Sequence, residues 1–139
     1  MLLLDNSAWS QLGQDHVADE RVQEVAEWMA QREIGVCMPF MLEAGYSAQS
    51  ATNHREMMIK FDRLPRVMID SEVERLAIQA QRELAEIGHH RLAPMDVMIA
   101  ACAHQAEAGV LHYDGDYDIL AEKTSLVFES EWLAPSGTL

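Results

Sequence analysis

Short apolar runs alternate with longer segments of helical periodicity along this chain, and the alternation restricts the fold more than any other feature. Runs that are apolar on both faces are typical of parallel strands covered by helices on both sides. The sequence therefore predicts an α/β fold with three layers, α/β/α, around a central parallel sheet of about five short strands. The predicted strands are residues 2–5, 34–38, 66–70, 109–114 and 125–129.

Helical segments separate these strands. Ser71 and Glu74 predict a capping box at the start of a long helix, and Gly88 predicts its end. From Pro94 to about residue 108 the helical segment is apolar on nearly every side, as expected of a buried helix. Asn6 or Ser7 is predicted to cap the first helix, and the other helices are predicted to begin near Asp19, at Pro39 and at Asn53.

Length and charge limit the kind of protein. The 139 residues suit one domain that spans 1–139. There are 23 acidic residues against 10 lysines and arginines, and the net charge of −13 argues against a protein that coats DNA. A bound metal ion could still supply positive charge locally, so nucleic acid stays possible as a ligand.

Cysteine usage and the N-terminus bear on location. Cys37 and Cys102 form no C-x-x-C motif and lie in apolar runs, so we expect two buried free thiols, as in a reducing compartment. The first residues lack the basic segment of a signal peptide, and no apolar stretch is long enough to span a bilayer. We therefore expect a cytoplasmic protein with no membrane partner.

Acidic residues stand where strands end or a buried helix begins. Asp5 follows the first strand, and Glu43 lies one turn into the helix after the second strand. Asp96 lies in the first turn of the most apolar helix, and Asp114 and Asp116 follow the fourth strand. Singly, each fits an ordinary role as a cap, a first-turn acid or a turn residue. Because parallel strands end at one edge of the sheet, we expect these acids to meet there.

Carboxylates crowded at one edge repel each other and raise each other's pKa values. A divalent cation removes this cost. Oxygen ligands without a cluster of Cys or His are typical of Mg²⁺, with Mn²⁺ as the alternative.

Four segments, taken in order, resemble a PIN-domain nuclease and, more narrowly, the VapC toxins of VapBC toxin–antitoxin pairs. They are DNS at 5–7, EAGYS at 43–47, PMDVMIAACA at 94–103 and HYDGDY at 112–117. The resemblance extends over the whole chain and implies a PIN-like fold. Two details depart from the commonest PIN pattern. His112–Tyr113 stands where Thr or Asn is frequent, and Tyr117 stands where Phe is usual.

The resemblance also implies an activity. It implies a Mg²⁺-dependent endoribonuclease that acts as the toxin of a type II toxin–antitoxin pair and cleaves RNA with metal-activated water. Asp5, Asp96 and the Asp114–Asp116 pair correspond to the metal ligands. Whether Glu43 completes that site or holds a second ion stays open.

Further roles follow from the same resemblance. Ser7 corresponds to a hydroxyl position that supports the first acid. The implied partners are an RNA substrate, a VapB-like antitoxin and a second copy of the chain in a homodimer. A net charge of −13 would repel RNA, so binding would depend on the ions and on local bases. The candidate RNA contacts are the basic residues Arg55, Lys60, His89, His90 and Arg91.

Other functions were weighed against this one. A phosphoacceptor signalling domain needs two adjacent acids after the first strand, whereas Asp5 is followed by Asn6, and Lys123 is poorly placed for the lysine of such a site. A P-loop enzyme is excluded because no G-x-x-x-x-G-K motif occurs. Two alternatives stay open: a PIN nuclease of RNA processing without an antitoxin, and a non-catalytic binding module on the same fold.

Overall fold

The computed structural model describes residues 1–89 and 91–139, which form the predicted three-layer α/β/α fold. The sheet order is β3-β2-β1-β4-β5, and all four neighbouring pairs are parallel. The strands are β1 (Leu2–Leu4), β2 (Ile34–Cys37), β3 (Arg66–Val67), β4 (Gly109–His112) and β5 (Ser130–Trp132). The helices are α1 (Asn6–Leu12), α2 (Asp19–Ala30), α3 (Met38–Tyr46), α4 (Ala51–Asp62), α5 (Ser71–Glu86), α6 (Pro94–Gln105) and α7 (Asp116–Lys123).

The centre of the sheet is the core of the molecule. Strand β1 lies between β2 and β4, and all residues of β2 and β4 are buried. Gly109 begins β4 where the backbone of the β5 segment approaches closely. A Cβ atom at Gly109 would lie 2.7 Å from the carbonyl oxygen of Glu129, so a side chain there would push the two segments apart.

Helix α6 is buried on most sides, as predicted. Ile99 and the four small residues that follow it have no exposed surface. Small side chains let α6 lie close to its neighbours, and its principal helical contact is α5. Because α6 leads directly into β4 and runs antiparallel to it, the first turn of α6 lies at the edge where the strands end.

The prediction of a strand over 125–129 was wrong. Pairing with β4 begins at Glu129, whose carbonyl accepts from the Val110 N–H, and β5 itself is Ser130–Trp132. The Val127 N–H donates instead to Nδ1 of His104 on α6. Leu126 is buried, Val127 is 76 % exposed and the Ser125 hydroxyl donates to Glu83 of α5, so this segment contacts helices before it joins the sheet.

The capping residues predicted for α1 and α5 were wrong. Asp5, rather than Asn6 or Ser7, caps α1, because its Oδ2 accepts from the Ser7 N–H at 2.9 Å. Asp70, rather than Ser71, caps α5 by accepting from the Val73 N–H, so the predicted capping box does not form. In both cases a strand-end carboxylate is the stronger acceptor for a free helix N–H.

Helix α7 was not predicted. The acids after β4 fit a turn in the sequence, but a helix begins at Asp116. Tyr117 and Leu120 are its buried residues, and two apolar positions in so short a segment give little periodicity to detect. The remaining elements lie within a few residues of their predicted bounds.

Both cysteines are buried free thiols, as predicted. None of the helices among the described residues is both long and apolar enough to cross a membrane.

Candidate metal centre

Asp5 is held at the end of β1 by three hydrogen bonds. It is 3 % exposed. Its Oδ2 atom accepts from the Ser7 backbone N–H and from the Ser7 hydroxyl, and its Oδ1 atom accepts from the Tyr117 hydroxyl at 2.7 Å. The Ser7 oxygen also accepts from the Tyr113 N–H at 2.9 Å, which ties the start of α1 to the residue after β4. The orientation of this carboxylate is therefore fixed by two elements besides its own.

Asp96 is the third residue of α6 and is 6 % exposed. One of its carboxylate oxygens lies 3.4 Å from the Tyr117 hydroxyl, which also contacts Asp5. Ligand oxygens of Asp96, Asp114 and Asp116 all lie within 4.8 Å of one another. The structure therefore brings three of the predicted acids into one group, with Asp5 beside Asp96.

The loop after β4 presents two of these acids. The Asp116 N–H donates to Oδ1 of Asp114 at 3.0 Å, and the Asp114 N–H donates to Nδ1 of His112 at 3.1 Å. Asp118 is directed elsewhere, because its two oxygens accept from the Ser130 hydroxyl and the Trp132 indole N–H of β5. Asp118 thus has a structural partner, whereas Asp114 and Asp116 face Asp96.

Glu43 lies in the second turn of α3, half-buried and outside the group of three acids. It lines a pocket of about 360 Å³ together with Asn6 and Met95. These two residues are the chain neighbours of Asp5 and Asp96, so the pocket opens at the same edge of the sheet. Glu43 is therefore at the margin of the site.

The charges of these acids act on each other. Burial, and then the charges of Asp5, Asp114, Glu43 and Asp116, raise the pKa of Asp96 to about 7. Burial and the neighbouring Asp5 raise the pKa of Glu43, and burial and Asp114 raise that of Asp116.

Among the described residues, no lysine or arginine forms an ion pair with these acids. Within residues 1–89 and 91–139, the ion pairs formed by lysine and arginine all involve other carboxylates. The group fits a divalent cation, because it offers carboxylate oxygens, which are hard ligands, in an uncompensated cluster.

Other predicted residues are dispersed. Arg55 and Lys60 are exposed on α4, and His89 and Arg91 are exposed in the segment between α5 and α6. His90 lies outside the described residues. The four described positions are therefore divided between α4 and the segment that joins α5 to α6.

Sequence reasoning did not identify two residues that contribute to the site. Tyr117 contacts both Asp5 and Asp96, and His112 holds the backbone of Asp114. Both residues depart from the commonest PIN pattern, which was the one available sign that they have a role at the site. It marked the positions without revealing their partners.

Comparisons with known proteins place this arrangement in a family. The pattern of the family described as PIN domain matches residues 2–123. Ribonuclease VapC18 of Mycobacterium tuberculosis is 37 % identical over 142 aligned residues, which cover 98 % of this chain and 97 % of the relative. Ribonuclease VapC51 of the same organism is 32 % identical over 70 % of each chain.

Solved structures share the fold. The DNA-bound VapBC of Salmonella typhimurium superposes with a TM-score of 0.71 at 20 % identity, covering 96 % of this chain and all of that one. The promoter-bound VapBC2 of Rickettsia felis gives 0.72 at 14 % identity, covering 94 % of this chain and 98 % of that one. At such identities the likeness shows the fold alone.

Proposed function

The chain belongs to the PIN-domain family, and on that premise we propose that it is a Mg²⁺-dependent endoribonuclease of the VapC type, the toxin of a type II toxin–antitoxin pair. The observation that carries the proposal is the group formed by Asp96, Asp114 and Asp116, with Asp5 fixed beside it and no ion pair to these acids from a lysine or arginine in the described part of the chain. Relatives at 37 % and 32 % identity carry the name ribonuclease.

The carboxylates of Asp96, Asp114 and Asp116 would hold the ion, with Asp5 completing the set from β1. A bound Mg²⁺, or Mn²⁺ in its place, supplies a water of lowered pKa and polarises a phosphate oxygen of the RNA. Residues of the chain hold these carboxylates in place. Ser7 and Tyr117 orient Asp5, and His112 orients the loop that carries Asp114.

Glu43 serves the same site from its margin. Its raised pKa and its place beside the pocket next to Asn6 suit a carboxyl that exchanges a proton near the substrate, or that helps to hold a second ion. No serine or cysteine nucleophile is required for this chemistry.

An antitoxin of the VapB type is the proposed protein partner. Structural neighbours of this chain are VapBC complexes. Met38, Leu42 and Tyr46 recur every four residues on α3 and are 50 %, 54 % and 94 % exposed, so they form an apolar stripe on the helix that carries Glu43. An amphipathic helix of an antitoxin could cover this stripe, and the net charge of −13 would favour a basic segment.

We further propose that residues 1–139 are a single PIN domain that acts as a homodimer in the cytoplasm. The family pattern ends at residue 123, but β5 extends the same sheet, which supports one domain. Light scattering on the purified chain tests the dimer.

Cleavage of RNA tests the function. Purified protein is incubated with a panel of structured RNAs in Mg²⁺, in Mn²⁺ and in excess chelator. We expect defined fragments with either metal, none with chelator, and recovery when metal is added back. Cleavage that persists in chelator would contradict the metal-dependent mechanism. Co-expression with the product of an adjacent small reading frame distinguishes a toxin, which would be inhibited, from an RNA-processing nuclease.

A further inference from the structure

The hydroxyl of Tyr117 lies between two buried carboxylates. It donates to Oδ1 of Asp5 at 2.7 Å and lies 3.4 Å from Oδ1 of Asp96. Tyr117 has no exposed surface, and it is the largest fully buried side chain of the protein among the described residues. A phenol has one proton, so the short contact to Asp5 is the full hydrogen bond and the longer one to Asp96 is weak.

The ring of Tyr117 is held from two sides. Its centroid lies 4.8 Å from that of His112, and the ring of Phe128 meets it edge-on at 6.4 Å. Burial first, and then the charges of Asp5 and Asp96, raise the pKa of the hydroxyl well above its usual value, so the group keeps its proton. A fixed ring with a permanent proton is a rigid donor aimed at the carboxylates.

The hydroxyl completes the set of donors on Asp5. Ser7 supplies two donors to Oδ2, both from α1, whereas Tyr117 supplies the donor to Oδ1 from α7. Without the hydroxyl, Asp5 would keep its contacts within its own turn and lose its tie to the helix that follows the Asp114 loop. Oδ1 of Asp5 would then lack the donor that holds it and would be free to turn.

We propose that Tyr117 is a positioning residue that fixes Asp5 Oδ1 next to Asp96, so that the ligand set is assembled before the ion binds. This inference rests on the proposed metal-dependent function and adds to it a residue that does not itself ligate the ion. Hydrogen bonds that orient ligating carboxylates typically change metal affinity by about 10- to 100-fold when they are removed.

The test compares Tyr117→Phe with Tyr113→Phe in the full chain. Both changes remove one hydroxyl and keep the ring, but the Tyr113 hydroxyl accepts from the Leu139 N–H and, among the described residues, has no hydrogen bond to an acid of the site. Mn²⁺ alone is titrated into each metal-free protein by calorimetry, and thermal unfolding in chelator is measured in parallel. We expect Tyr117→Phe to bind Mn²⁺ about 10- to 100-fold more weakly than the wild type, and Tyr113→Phe to bind it as the wild type does.

The outcomes test the metal site and the role of Tyr117 separately. If Tyr117→Phe unfolds at lower temperature but binds Mn²⁺ with wild-type affinity, the hydroxyl only stabilises the fold and the positioning role is wrong, while the metal site stands. If the wild type binds no Mn²⁺, both the metal site and the positioning role are wrong. If Tyr113→Phe binds Mn²⁺ as weakly as Tyr117→Phe does, the positioning role is also wrong, because the loss of affinity would then not depend on contact with Asp5.

Discussion

Nδ1 of His112 accepts a hydrogen bond from the backbone N–H of Asp114, which ties the last residue of β4 to the first acid of the loop. Because Nδ1 accepts, the proton of the neutral ring lies on Nε2, which donates to the Ser130 hydroxyl at 2.7 Å. Ser130 in turn donates to Asp118 at 2.7 Å. Burial lowers the pKa of His112 even though carboxylates lie nearby, which keeps the ring neutral. Strand β5 therefore helps to set the loop that carries Asp114.

Asp118→Asn tests this connection. The Ser130 hydroxyl donates to Oδ1 and the Trp132 indole N–H donates to Oδ2, so an amide puts its NH₂ group in place of one of these two acceptors. One partly buried donor would lose its partner, at a cost of about 1–3 kcal/mol in the free energy of unfolding. Denaturant unfolding measures the loss, with Glu122→Gln at an exposed position of the same helix as the control. Equal stability of the two variants would refute the connection.

The stability of the metal-free protein should fall as the pH rises. The pKa of Asp96 is about 7 in the folded protein and near 4 in the unfolded chain, so between these values the folded state holds a proton that the unfolded state releases. This contribution is fully present below about pH 4 and is lost as the pH passes through about 7, which amounts to a few kcal/mol. Thermal unfolding in chelator at pH 5 and pH 8 measures it.

Asp96→Asn is the matched variant for that titration. An amide does not titrate, so the fall in stability between pH 5 and pH 8 should shrink, while Asp15→Asn at an exposed position should leave it unchanged. A variant that retains the whole pH dependence would assign it to other groups.

Ser7→Ala should weaken both the fold and the site. The serine oxygen accepts from the partly buried Tyr113 N–H and donates to Asp5, so alanine leaves one backbone donor without a partner. We expect a loss of about 1–3 kcal/mol in the free energy of unfolding and weaker Mn²⁺ binding. Ser10→Ala is the control, because its hydroxyl makes one long, exposed contact on the same helix. If the two variants match in stability, the bridging role of Ser7 is wrong.

Gly109→Ala should destabilise the sheet at the β4–β5 pair. Its Cβ would lie 2.7 Å from the Glu129 carbonyl oxygen and 2.8 Å from a methyl carbon of Leu2, and such overpacking typically costs about 1–3 kcal/mol. Gly13→Ala is a fair control, since its nearest new contact is 3.6 Å. Equal melting temperatures would argue against the close approach of β5 to β4 that the structure gives.

Much of the fold could be predicted because its signals are local. The apolar runs of β1, β2 and β4 and the periodicity of α5 each fit one element. The position of β5 could not be predicted, because the apolar residues 126–128 come just before the strand, and a short apolar run does not reveal whether it pairs with a strand or packs against a helix. Helix α7 is too short for its periodicity to stand out.

Part of the site, like part of the fold, could be predicted from the sequence. The convergence of Asp96, Asp114 and Asp116 was expected from topology alone, since parallel strands end at one edge. The fixing of Asp5 by Tyr117 depends on how α7 packs across the end of β1, a tertiary contact between residues 112 positions apart. The sequence does not indicate whether Asp114 or Asp116 is the principal metal ligand. The hydrogen bond from the Asp116 N–H to Asp114 shows how the two are arranged but assigns neither as the principal ligand.

Cleavage by the Asp5→Asn/Asp96→Asn double variant tests the central claim most directly. Both changes keep the shape of the side chain and remove charge from the crowded group, so the variant should fold, and circular dichroism checks that it does. With equal amounts of folded protein, Mg²⁺ and one RNA cut by the wild type, the account predicts fragments from the wild type and none above background from the double variant. Metal-dependent cleavage by the pure, folded double variant at the wild-type rate would contradict it.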